Sequence, residues 1–83
     1  MDIQAQIKQF IIEEIMFGGR NTQLGADEPL ISSGILDSLG LLRLIAFIEE
    51  NLGIQVNDGE VVPDNFETLT VMANFLNEKR VVA

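Results

Sequence analysis

Asp37 and Ser38 stand inside the segment SGILDSLGLL, residues 33–42, and are the pair whose types and spacing come nearest to a reactive group. A serine beside an aspartate indicates either a nucleophile or the start of a helix. The chain contains no histidine and no Gly-x-Ser-x-Gly motif, which argues strongly against a Ser-His-Asp nucleophile. Asp37 is placed to cap a helix, which leaves Ser38 in the first turn. The amides and dipole there favour a phosphate on the serine without requiring one.

The composition predicts one small folded domain over residues 1–83, because 47% of the residues are hydrophobic. There are 13 acidic and 5 basic residues, with a net charge of −8. This charge argues against a nucleic-acid-binding protein and disfavours an anionic membrane surface. It favours a protein partner with a basic patch.

The residues that are absent restrict the function further. Without cysteine the chain has no disulfide, thiolate nucleophile or cysteine metal site. The N-terminal residues do not form a signal peptide, and no apolar run approaches the roughly 18 residues that span a bilayer. We therefore expect a cytoplasmic protein with no membrane partner.

Apolar periodicity predicts a first helix that Asp2 caps and that Gly18 and Gly19 end. Its stripe consists of Ile3, Ile7, Phe10, Ile11 and Ile15. A long loop follows to about Leu36, and a loop of this length must be held by its own apolar side chains or carry function. Its apolar residues are Leu24, Leu30, Ile31 and Ile35.

The second helix is predicted from about Ser38 to Leu52, where Gly53 ends it. In the next segment Ile54 and Val56 alternate as in a strand, but two apolar residues cannot form a sheet. Pro63 is placed to open a short helical turn through Phe66, and a last helix runs from a Thr68 cap to about Lys79. The expected fold is an all-α bundle of three main helices and one short helix.

The second helix carries two apolar faces when its residues are placed about 100° apart. The predicted core face consists of Leu41, Leu44, Ile45, Ile48 and Leu52. A narrower strip of Leu39, Leu42 and Ala46 lies on the other side, beside Arg43, Glu49 and Glu50. The strip belongs either to a central helix buried on several sides or to an exposed surface that docks a partner. The two glutamates either orient that partner or are simply solvated.

The segment LISSGILDSLGLLRLIAFIEENLGIQV resembles the central region of acyl carrier proteins and peptidyl carrier domains. The shared features are Gly34, then Asp37-Ser38-Leu39, then an apolar helix that ends in Glu49-Glu50. The downstream VPDNFETLTVMANFL resembles their short third helix and last helix. The resemblance therefore covers nearly the whole chain.

This resemblance implies a monomeric, non-catalytic carrier that a phosphopantetheinyl transferase modifies. Ser38 would receive 4′-phosphopantetheine from coenzyme A, and the thiol of this arm would carry acyl or aminoacyl groups as thioesters. The implied partners are that transferase, a loading ligase and downstream transferases or synthases of fatty-acid-like, polyketide or nonribosomal-peptide biosynthesis. Leu39, Leu42 and Ala46 would contact partner enzymes.

By the same resemblance, the remaining positions acquire roles on the partner face or in the core. Asp37, Glu49 and Glu50 would meet basic residues of the partners, and a growing chain would be sheltered beside Ile45 and Ile48. Gly40 and Arg43 stand where fatty-acid-synthesis carriers usually have acidic residues. This departure favours a stand-alone carrier of a specialised pathway, with Arg43 as part of the partner face.

The same residues raise three other candidate functions. The first is an acidic adaptor with the carrier fold that is never modified. The second is a calcium-binding loop at NDGE, which fails because Gly59 at the invariant glycine would put Ile54, Val56 and Asn65 at ligand positions. The third is an enzyme, which is disfavoured because no paired-carboxylate site is apparent.

Overall fold

The computed structural model describes residues 2–16 and 24–82, and the described chain is helical with irregular connections. The helices are α1 (Ile3–Phe10), which continues as a π-helical turn (Ile11–Ile15), α2 (Ser38–Phe47), which continues as a second π-helical turn (Ile48–Leu52), α3 (Pro63–Phe66) and α4 (Leu69–Val82). A 3-10 turn covers Asp58–Glu60. The predicted all-α fold of three main helices and one short helix is confirmed. The expected helix end at Gly18 and Gly19 lies outside the described residues.

A side chain caps the N-terminus of each of the three main helices, as predicted. The carboxylate of Asp2 accepts a hydrogen bond from Ala5 N at 3.3 Å, and Thr68 Oγ1 accepts one from Val71 N at 3.1 Å. Gly53 ends the second helix in the left-handed conformation, with φ of 69°, which glycine adopts without a Cβ clash. The last helix runs three residues past the predicted Lys79, since no glycine or proline follows to stop it.

The core is apolar throughout the described residues, and α1 packs against α4 within it. Leu44 and Ile48 of the predicted core face are completely buried, and the rest of that face is half-buried against them. The buried set is Ile3, Ile7, Ile11, Leu24, Leu30, Leu36, Leu44, Ile48, Ile54, Val56, Phe66, Leu69, Met72, Ala73 and Leu76. In the described chain, no helix is both long and apolar enough to cross a membrane.

The loop that precedes α2 is anchored by its own leucines and by the start of α4. Leu24, Leu30 and Leu36 are buried, and Leu30 N donates to the Glu67 carbonyl oxygen at 2.7 Å. The Glu67 carboxylate also accepts from the amide and the hydroxyl of Ser32, each at 3.1 Å. The loop is therefore anchored at Leu30 and Ser32 and again at Leu36, shortly before α2 begins.

The connector between α2 and α3 is irregular, and its apolar residues Ile54 and Val56 are buried without forming a strand. Glu60 in this connector pairs with Lys79 of α4, whose Nζ lies 2.7 Å from Glu60 Oε1 and 2.9 Å from Oε2. Lys79 also lies 5.6 Å from the centre of the Phe75 ring. The pair joins the connector to the last helix.

The Glu60–Lys79 pair predicts a pH-dependent contribution to stability. The Lys79 ammonium, followed by the Asn57 amide, lowers the pKa of the Glu60 carboxyl below its ordinary value. Folding therefore favours the ionised carboxylate, and this contribution is present above the unfolded pKa and lost as the pH falls through the lower folded pKa. We expect Glu60→Gln to lower the melting temperature at pH 7 and to have a smaller effect at pH 3. Glu78→Gln serves as the control, because it removes the same charge from an exposed position on α4. If the melting temperatures of the two variants depended on pH in the same way, the prediction would be contradicted.

Candidate functional site

Ser38 is the first residue of α2, and its position is set by the cap before it. Asp37 has an extended backbone, and its Oδ1 accepts from Gly40 N at 2.7 Å. The Asp37 carbonyl accepts from Leu41 N at 2.9 Å and begins the helical hydrogen bonding. Ser38 is exposed at this turn. The predicted arrangement of Asp37 as cap and Ser38 as an exposed hydroxyl is confirmed.

The cap also predicts a measurable loss of stability when it is removed. Asp37→Ala deletes the acceptor of the Gly40 amide, and we expect the free energy of unfolding to fall by about 1 kcal/mol. Asp37→Asn keeps an acceptor oxygen and should lose much less. Urea denaturation at pH 7 followed by circular dichroism measures both variants, and equal losses would show that the charge rather than the cap is responsible.

Gly40 does not lie on the exposed face, contrary to the expectation from the resemblance. It is buried where α2 approaches the end of α1. A Cβ at this position would lie 3.2 Å from Asp37 Oδ1 and 3.7 Å from the nearest atoms of Ile15. A Cβ would make an ordinary contact with Ile15 but a tight one with the capping carboxylate, so glycine leaves room for the Asp37 cap at the cost of a low helix propensity.

The second apolar strip of α2 is exposed, so of the two predicted alternatives the structure favours a free surface. Leu39 is 67% exposed and Leu42 is 63% exposed, and Ala46 is exposed one turn further on. These two leucines are the most exposed large apolar side chains among the described residues. The strip begins directly beside Ser38, so a protein that covers it would also approach the hydroxyl.

Arg43 lies at the border of this strip and is held by α1. Its Nη1 donates to the Glu14 carbonyl oxygen at 3.1 Å, and its Nη2 lies 3.6 Å from Glu14 Oε1. The arginine side chain is still 44% exposed. The resemblance places Arg43 on the partner face, but no pattern in the sequence indicates its contact with Glu14, which is 29 residues away.

Glu49 and Glu50 are both exposed at the far end of the strip, but they differ in their contacts. Glu49 Oε2 accepts from Val56 N at 3.1 Å and so joins α2 to the connector. Glu49 therefore has a structural contact that no pattern in the sequence indicates. A role for either glutamate toward partners stays a prediction, as does shelter of a cargo beside Ile45 and Ile48.

The surroundings of Ser38 fit a covalently attached phosphate. The hydroxyl is exposed, and it lies at the positive end of a helix of ten residues, which favours negative charge. The residue before Ser38, Asp37, carries a negative charge, but its carboxylate accepts a hydrogen bond from the Gly40 amide. Among the described residues no group of histidine, cysteine or carboxylate side chains is placed to hold a metal.

Known proteins are similar to this chain over most of its length. Residues 5–76 match the family described as phosphopantetheine attachment site. The chain is 32% identical over 80 residues to the D-alanyl carrier protein of Streptococcus sanguinis (strain SK36), covering 96% of this chain and 98% of that protein. It is 30% identical over 80 residues to the D-alanyl carrier protein of Streptococcus mutans serotype c (strain ATCC 700610 / UA159), with the same coverage.

A solved structure is also similar to this chain in sequence and fold. A chain in the crystal structure of an FAD-dependent dehydrogenase is 31% identical to this chain, with a TM-score of 0.76. The similarity covers 84% of this chain and 97% of that chain. Sequence and fold therefore agree, and this chain belongs to the carrier-protein family that holds 4′-phosphopantetheine as a covalent cofactor.

Proposed function

We propose that Ser38 is the attachment point of 4′-phosphopantetheine and that the chain carries acyl or aminoacyl thioesters between enzymes. The observation that carries this proposal is the exposed Ser38 hydroxyl at the capped N-terminus of α2, within a chain of this family. When bound, the arm supplies the thiol that this cysteine-free chain lacks.

The chain itself contributes a positioned hydroxyl rather than catalysis. The Ser38 oxygen forms the new bond to the phosphorus of coenzyme A and loses its proton, while adenosine 3′,5′-bisphosphate leaves. The chain has no histidine, and the Asp37 carboxylate is engaged by the Gly40 amide. We therefore infer that a separate phosphopantetheinyl transferase supplies the base, and that this chain is its substrate.

The cargo that we propose is an amino acid or another small acid activated by an adenylating ligase. The similarity to D-alanyl carrier proteins supports this class of cargo, since two relatives are aligned over 96% of this chain. The similarity to a chain in the structure of an FAD-dependent dehydrogenase supports oxidation of the bound cargo as a second candidate step. Arg43 supports a specialised pathway, because its positive charge disfavours partners built for an all-acidic face.

Intact mass spectrometry tests the proposal. The purified chain is incubated with coenzyme A, magnesium and a broad-specificity phosphopantetheinyl transferase. We expect a mass gain of one phosphopantetheine, and peptide mapping should place it within residues 33–42. No gain on a chain shown to be folded would leave the unmodified acidic adaptor as the function. The loaded chain is then incubated with candidate ligases, ATP and single amino acids to identify the thioester.

A further inference from the structure

A groove between α1 and α2 lies on a pair of stacked aromatic rings. Phe10 and Phe47 have ring centroids 4.5 Å apart, with planes inclined by 24°. Each phenylalanine immediately precedes the π-helical turn of its own helix, so the two irregular turns begin at the same pair. The groove has a volume of about 440 Å³ and an aromatic floor that is only half-buried.

The rim of this groove is polar and negatively charged. Glu13 and Glu14 lie on one side, and Asn51 lies on the other. None of the described residues that line the groove is basic. Both glutamates also lie in the π-helical turn that continues the first helix, at the end where the helix dipole favours positive charge. A cation at this position is therefore favoured twice, by the carboxylates and by the helix end.

The chain already shows that a guanidinium group binds at the edge of this groove. Arg43 reaches the Glu14 carbonyl oxygen at 3.1 Å and places a second nitrogen 3.6 Å from the Glu14 carboxylate. Glu13 is not part of that contact. It is exposed, and its Oε2 accepts from the Gln9 side-chain amide at 3.1 Å. A carboxylate beside the aromatic floor thus remains outside the intramolecular ion pair.

We propose that this groove is a second docking surface and that its occupant is an arginine side chain of a partner protein. Arginine fits better than lysine because its planar guanidinium stacks on aromatic rings, is weakly hydrated and donates several hydrogen bonds at once. Charge complementarity with Glu13 and the end of α1 selects a basic partner. Phe47 lies nine residues beyond Ser38, or about 14 Å along α2. A partner can therefore hold the carrier at this groove and leave the serine end of α2 open.

The test is a titration of the isotope-labelled, unmodified chain with the peptide acetyl-Arg-Arg-amide, followed by NMR at low salt. We expect saturable shifts at the rings of Phe10 and Phe47, and weaker binding of acetyl-Lys-Lys-amide. Glu13→Gln should weaken binding of the arginine peptide about three- to fivefold. Glu78→Gln on α4 removes the same charge from an exposed position outside the groove and should change it less than about twofold.

Phe47→Leu separates stacking from charge. It keeps both glutamates, so we expect binding to persist but the preference for arginine over lysine to be lost. Equal weakening by Glu13→Gln and Glu78→Gln, or shifts spread over all acidic surfaces, would overturn the proposal, because either result indicates attraction to the net charge of −8 alone. The titration uses the chain before modification, so its outcome is separate from the loading of Ser38.

Discussion

Ser38→Ala will leave the folded chain without phosphopantetheine after incubation with coenzyme A, magnesium and a phosphopantetheinyl transferase. The expected loss is complete, because the variant lacks the oxygen that forms the bond to phosphorus. The chain has three serines, and the other two are Ser32 and Ser33 in the preceding loop. Ser32 is bonded to Glu67, and Ser33 Oγ donates to the Leu30 carbonyl at 3.3 Å. Neither lies at a helix N-terminus.

Ser33→Ala is the matched control for this prediction. It removes an exposed hydroxyl five residues away and leaves the cap of α2 unchanged, so we expect the same mass gain as in the unaltered chain. Alanine at the first position of α2 is a good helix former, and the circular dichroism of Ser38→Ala should match that of the unaltered chain. Continued loading of Ser38→Ala would show that another residue is the attachment point. Loss of loading in both variants would indicate that the loop conformation, rather than the Ser38 hydroxyl, is recognised.

Leu44→Ala will destabilise the domain by about 2–5 kcal/mol, a large part of the roughly 5–15 kcal/mol that stabilises a typical domain. Leu44 is completely buried on the core face of α2, so the substitution removes buried methyl groups and leaves a cavity. Urea denaturation at 25 °C followed by circular dichroism measures this change. If the midpoint were unchanged, the assigned core face of α2 would be wrong.

Leu42→Ala is the matched control, since it is the same substitution two residues earlier in the same helix. Leu42 is 63% exposed, and we expect its replacement to change the free energy of unfolding by less than about 0.5 kcal/mol. We expect the substitution instead to lower the kcat/KM with which the phosphopantetheinyl transferase modifies the chain. Equal destabilisation by both variants would contradict the two-faced arrangement of α2. An unchanged kcat/KM would remove Leu42 from the partner face for that enzyme.

The helices and the exposed serine were predictable because their signals are local. Asp37 and Thr68 bond to amides three residues ahead, and Gly53 ends a helix by its own conformation. The period of the apolar residues in α2 similarly separated Leu44 from Leu42. These features depend on residues within one or two turns of one another, so a pattern in the sequence records them directly.

The contacts between elements were not predictable in the same way. Gly40 is buried beside Ile15, although the resemblance had placed it at a position where related carriers have an acidic residue on the recognition face. Glu49 bonds to the connector at Val56, Arg43 bonds to Glu14, and the aromatic floor joins α1 to α2. Neither the π-helical turns nor the ion pair across the helices left a periodic signal in the sequence.

The sequence by itself determined that this chain is an acidic helical bundle in which Ser38 begins a helix behind an aspartate cap. Composition, apolar period and capping residues act through short-range hydrogen bonds and burial, which are the same wherever such a segment occurs. Only the tertiary structure decided that Gly40 is buried beside Ile15 and that Glu13 stands at the rim of an aromatic groove. These outcomes depend on how α1 approaches α2, and that approach follows from the packing of the whole core rather than from any one segment.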